Sequence, residues 1–113
     1  LPTIAFGDFN VNSKEDKKYN IYESQQDTWE VAHIYGCENC KGSFFYNYGK
    51  SWDFLDSIFV SKKDSLRFKS NSINIHRTNF NSYSDTGKPI KFNAYSKIGV
   101  SDHLPMVAVI QLN

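Results

Sequence analysis

Trp52-Asp53-Phe54-Leu55-Asp56-Ser57-Ile58-Phe59-Val60 is the stretch on which the fold turns. It alternates and then closes in an apolar block, the pattern of a strand entering a core. Asp56 stands inside that run, between Leu55 and Ile58-Phe59-Val60. A buried carboxylate is costly unless it is paired or hydrogen-bonded. Asp56 therefore either has a partner, for which an imidazole such as His103 would serve, or points to solvent on the polar side of the alternation. Just upstream, Gly42 to Tyr48 is rich in aromatics (Phe44, Phe45, Tyr46, Tyr48), and Gly49-Lys50 makes a turn. The two segments predict a β-hairpin. Its aromatic side chains, with Trp52, are expected to pack in a core rather than to stack on bases.

Outward from the hairpin, short strands dominate. Thr3 to Phe6 is an apolar run ending at Gly7, the pattern of a buried strand, and Asp8 to Asn12 reads as the loop that leaves it. Trp29, Ala32 and Tyr35 recur every three positions, predicting a helix over Gln25 to Tyr35. Ser24 and Asp27 compete as its N-cap, and Gly36 is its stop. Ser72 to Arg77 alternates Ile73 and Ile75 against Asn74 and His76, and His103 to Leu112 reads as a terminal strand. Asn79 to Ser84 is polar surface loop, and Asp85-Thr86-Gly87-Lys88-Pro89 is a turn cluster. The expected class is α+β, with mostly antiparallel strands and one clear helix.

The chain has 113 residues, 40% apolar and 16% aromatic, one domain's worth of packed core rather than a linker or disordered segment. It opens Leu1-Pro2-Thr3 without an initiator Met, already inside an apolar run, which reads as a cut or processed chain. No run approaches the roughly 18 to 20 apolar residues of a bilayer span. Lys+Arg 13 against Asp+Glu 12 leaves a net charge of +1. That is not the basic field of a protein that grips nucleic acid mainly through its phosphates. It leaves room for a substrate held by a metal ion. Lys14, Lys17 and Lys18 read as a solvated surface. Cys37 and Cys40 cannot close a tetrahedral zinc site alone, and their flanking glycines are unlike the helix start of a redox-active pair. A loop holding a free or disulfide pair is the simplest reading, with zinc shared with a partner as the alternative.

Two further motifs carry chemistry. Gly7-Asp8-Phe9-Asn10 sets a carboxylate and an amide two residues apart at a strand end. The carboxylate can orient or deprotonate a water, and the amide can donate to developing negative charge. The same residues are also common in ordinary turns. Ser101-Asp102-His103 sets a carboxylate beside an imidazole just before the last strand, suited to phosphate contact, metal coordination or proton transfer.

Taken in order, Gly-Asp-Phe-Asn after a strand, Leu-Asp-x-Ile-Phe-Val-Ser, and Gly-Val-Ser-Asp-His-Leu-Pro before a terminal strand resemble the endonuclease/exonuclease/phosphatase family. That family includes DNase I-like nucleases, abasic-site endonucleases, sphingomyelinases and inositol-phosphate phosphatases. The resemblance runs from Thr3 to Ile110. It implies in-line attack of water on a phosphate ester, with Mg²⁺ or Mn²⁺ neutralising the phosphate oxygens. It further implies that Asp8 orients or activates the water and that Asn10 contacts the scissile phosphate. His103 would donate to a phosphate oxygen, and Asp56 would hold its imidazole. Asp102, with Asp8, would lie on the metal side.

Catalytic domains of that family are roughly twice this length, pair two sheets flanked by helices, and supply an Asn and a Glu for the metal from their first half. The resemblance therefore makes residues 1–113 the C-terminal portion of a DNase I-like two-sheet sandwich. The partners it implies are the N-terminal half and a phosphodiester substrate, either nucleic acid or a phosphorylated lipid or small molecule. None of Glu15, Glu23, Glu30 and Glu38 matches a family motif. The isolated chain is then expected to bind Mg²⁺ poorly, to turn over little, and to expose an apolar sheet face. The competing reading is a non-catalytic binding or interaction domain that keeps the fold.

Overall fold

The computed structural model describes residues 1–37 and 40–112, so Glu38 lies outside the described residues. The chain is a mixed α/β structure with mostly antiparallel strands and one clear helix. The strands are β1 (Ile4–Asp8), β2 (Trp29–Val31), β3 (Phe44–Tyr46), β4 (Ser51–Asp53) and β5 (Asp56–Ser61), followed by β6 (Leu66–Phe68), β7 (Asn74–Ile75), β8 (Met106–Val107) and β9 (Ile110–Leu112). The helices are α1 (Ser13–Tyr19), a 3₁₀ turn at Glu23–Gln25 and a single α-helical turn, α2 (Ala32–Tyr35). β5 is the centre of a three-stranded sheet, between β1 and β2, and the remaining strands form the ladders β3-β4, β6-β9 and β7-β8. Every one of these pairings is antiparallel.

The two faces of β5 explain the core. Ile58 and Val60 point to one side, where Val60 packs with Ala32, Phe68 and Ile73. Phe59 points to the other and packs with Tyr22 and Val31, joined by Ala5 and Trp29. Strand alternation places Ile4 and Phe6 of β1 opposite Val60 and Ile58. They lie beyond the cover of Phe68 and Ile73, and Phe6 is 77% exposed. The Thr3 to Phe6 run is thus a strand as expected, but an exposed edge strand rather than a buried one.

The helix lies elsewhere than the periodicity predicts. Residues 25 to 35 form strand β2 and one turn of helix, because Trp29, Glu30 and Val31 pair with Ser61, Val60 and Phe59 of the central strand. The clear helix is α1, whose sequence Ser-Lys-Glu-Asp-Lys-Lys-Tyr buries none of its residues. Its signals are local. The Asn12 side chain accepts the Glu15 N–H at 2.8 Å, acidic residues fill the first turn, basic residues fill the last, and Asn20 closes it at φ 55°.

Trp52 to Val60 is two strands rather than one: β4 completes the expected hairpin with β3, and Phe54-Leu55 breaks the chain before β5. Asn79 to Ser84 is not simply surface loop either. Asn81 and Ser82 are buried, and Asn81 Oδ1 accepts the Thr78 N–H while its Nδ2 donates to the His76 carbonyl. The expected terminal strand is split into β8 and β9. Cys37 and Cys40 form a disulfide across the loop after α2. Among the described residues no helix is long and apolar enough to cross a membrane.

Gly42 shows how tightly the hairpin base is built. A Cβ at this position would stand 2.5 Å from the Asp53 carbonyl oxygen and 2.7 Å from its nitrogen. Both are backbone atoms and neither can swing aside. Gly42→Ala is expected to cost about 1–3 kcal/mol, measured as a lower urea midpoint with unchanged slope.

Candidate functional site

The site is assembled where β1 and β5 end beside the hairpin. Asp8 and Asp56 are direct cross-strand partners in the β1–β5 ladder. Two close carboxylates repel unless something else engages them, and here each has separate hydrogen-bond donors. Asp8 Oδ1 accepts the Asn10 N–H at 2.8 Å, and Asn10 takes up the left-handed conformation at φ 54°. The Phe9 and Asn10 N–H groups both donate to the Leu55 carbonyl. The turn after β1 is therefore tied to the residue that precedes β5.

Asp56 Oδ2 is 2.7 Å from His103 Nδ1 and also accepts the Ser43 hydroxyl at 2.6 Å. The Asp56 N–H donates back to Ser43 Oγ at 3.2 Å. Ser43 is fully buried, and its own backbone is held by Asp53 on one side and Leu104 on the other. The Leu104 N–H donates to the Ser43 carbonyl at 2.7 Å, which draws residue 103 against the hairpin, while the His103 N–H donates to Ser101 Oγ at 3.0 Å. The imidazole is thus positioned by backbone on both sides and by a carboxylate on Nδ1. The apolar stretch places Asp56 neither in bare core nor in free solvent, but against a partner.

One ligand atom from each of Asp8, Asp56 and His103 lies within 4.8 Å of the others. Asp102 stands on the far side of the ring, its Oδ1 3.9 Å from His103 Nε2. Asp102, His103 and Asn10 share the wall of a cavity of about 660 Å³. Asp8, Asp56 and His103 are thus the described residues whose ligand atoms stand close enough to hold a cation together, while Asp102 lies beside the ring and outside that group. All five residues singled out from the sequence, Asp8, Asn10, Asp56, Asp102 and His103, belong to this one region.

Sequence reasoning did not identify Ser43 or Asp53. Asp53 is buried and its Oδ1 accepts the Ser13 N–H at 2.9 Å, anchoring the start of α1 beside the cavity. Their signal is positional only: both lie in a hairpin whose polar residues look like turn residues. Tyr22 packs behind the site and donates its hydroxyl to the Phe54 carbonyl at 2.8 Å. Burial, and then the carboxylates of Asp16, Asp56 and Asp8, hold its phenol well above the usual tyrosine range.

His33 supports β5 from the same side. Its ring stacks on Phe54 at 4.4 Å, meets Tyr22 edge-on at 4.5 Å, and places Nδ1 3.1 Å from the buried Ser57 hydroxyl. Burial pushes its pKa down to about 4 against a weaker pull upward from Asp16. The folded chain therefore binds this proton less readily than the unfolded chain does. Stability from the neutral ring is present in full above about pH 6.5 and is lost as pH falls towards 4. Urea titrations across that window are expected to show a falling midpoint, and His33→Gln is expected to flatten the slope by about one proton.

Comparison with known protein families, with curated proteins and with solved structures gives no match.

Proposed function

We propose that this chain carries the phosphate-contacting side of a divalent-metal-dependent phosphoesterase. The observation that carries the reading is the Asp56–His103 pair, 2.7 Å apart, beside Asp8 on the adjacent strand. The order of the three motifs supports it. With Nδ1 engaged by Asp56, Nε2 is the nitrogen that meets a phosphate oxygen in the cavity. Asn10, fixed on the same wall by its left-handed turn, donates its side-chain amide to the charge that builds on the phosphorus. Asp8 orients the attacking water. Mg²⁺ can be held by one or two carboxylates, waters and substrate phosphates; Asp8, in the cluster with Asp56 and His103, would supply one of them, and Mg²⁺ or Mn²⁺ there would neutralise the phosphate oxygens. On the same reading, residues 1–113 are the C-terminal portion of a DNase I-like two-sheet domain.

The test is a panel of substrates with purified protein that carries these residues together with the N-terminal half this reading requires: plasmid DNA, abasic oligonucleotide, phosphatidylinositol phosphate and bis-p-nitrophenyl phosphate. Hydrolysis of at least one that needs Mg²⁺ or Mn²⁺ and stops with EDTA is expected. Hydrolysis of none, with either metal, favours the non-catalytic binding domain.

A further inference from the structure

A second cavity, of about 510 Å³, adjoins the first and shares Phe44, Tyr46 and Asp102 with it. Part of its aromatic wall is open. Phe44, Phe45 and Trp52 of the hairpin are partly buried, in line with the expected packing, but Tyr46 is about half exposed and Tyr48 is 92% exposed, and Tyr83 across the groove is about half exposed. The Tyr46 and Tyr48 rings sit 5.8 Å apart at 53°. Lys88 and Lys91 line the same groove, and Lys88 Nζ is 4.1 Å over the Phe45 ring, so one ammonium is held in place by the hairpin itself.

Exposed aromatic rings beside ammonium groups are what a single strand of nucleic acid needs: rings for its bases and cations for its phosphates. A duplex hides its base faces, and an inositol headgroup has none. A net charge of +1 is also easier to reconcile with a short local grip than with a long electrostatic track. We propose that the Tyr46–Tyr48–Tyr83 groove binds single-stranded nucleic acid and leads it to the phosphoester centre through Asp102. This deepens the reading of that centre and rests on it for the fate of the strand, while strand binding itself can be measured without turnover.

The experiment is fluorescence anisotropy with labelled oligothymidylate of about ten nucleotides, long enough for one such groove. EDTA is present throughout, so that no hydrolysis occurs. Binding is expected to weaken with salt at a log–log slope of about −1.4, from roughly two neutralised phosphates. Tyr46→Ala/Tyr48→Ala is expected to raise Kd by about tenfold or more, the loss of one or two stacked bases. Lys88→Ala should reduce the salt slope. An abasic oligomer of equal charge should bind as weakly as the tyrosine variant binds oligothymidylate. Hydrolysis is followed separately with Mg²⁺ in place of EDTA, so failed hydrolysis with intact, tyrosine-dependent binding would count against the phosphoesterase reading alone. Three results overturn the groove assignment: no oligothymidylate binding, equal binding by the double tyrosine variant, or tyrosine-dependent binding only to phosphatidylcholine–phosphatidylserine vesicles.

Discussion

His103→Ala is expected to lower kcat for phosphodiester hydrolysis by about a thousandfold or more while the protein stays folded. The imidazole is the one group in the cluster whose ring reaches from a buried carboxylate to the cavity, with Asp56 at Nδ1 and Asp102 3.9 Å from Nε2. No other described side chain in the cavity wall offers an aromatic nitrogen to a phosphate oxygen. The fold is expected to tolerate the loss because residue 103 is held by its backbone: the Phe44–His103 bridge, the Leu104 N–H to Ser43 bond and the Ser101 cap do not involve the ring. Stopped assays of initial rate, with a urea melt of the same preparation, separate the two effects. A loss of less than about tenfold in rate would remove His103 from the chemistry.

Asp56→Asn is expected to cost about a hundredfold to ten-thousandfold in kcat with little change in KM, by analogy with other carboxylates that orient a catalytic imidazole. Asparagine keeps the shape but places an NH₂ or a neutral carbonyl where the carboxylate oxygen meets both the ring and the Ser43 hydroxyl. The ring then loses its charged acceptor and can adopt the other tautomer. Asp56 does not itself line the wider cavity with Asn10, Asp102 and His103. On the proposed reading it is a positioning residue, and the kcat effect without a KM effect is the signature to look for. A variant that raises KM alone would assign Asp56 to substrate binding instead.

The physical cost of a carboxylate in an apolar strand was readable from the chain. Asp56 between Leu55 and Ile58 demanded a partner, and His103 meets that demand at 2.7 Å. The hairpin was readable too, since Gly49-Lys50 interrupts two aromatic runs and Lys50 adopts φ 50° there. α1 was not readable from periodicity, because it buries nothing and is specified by Asn12, its charge order and Asn20. Residues 25 to 35 misled for the opposite reason. Their three-residue recurrence is helical on paper, but β5 offers Trp29 to Val31 a ladder, and long-range pairing outweighs local preference. Ser43 lay beyond sequence reasoning because its role exists only once Asp53, Leu104 and Asp56 converge on it.

The most direct test of the paired site is a double-mutant cycle on metal-dependent phosphodiester cleavage. It uses the wild-type protein, His103→Ala, Asp56→Asn and the double variant. If the carboxylate acts only through the imidazole, the double variant is no slower than His103→Ala alone. Equal rates for all four proteins, or losses that multiply in full, would contradict a catalytic Asp56–His103 unit.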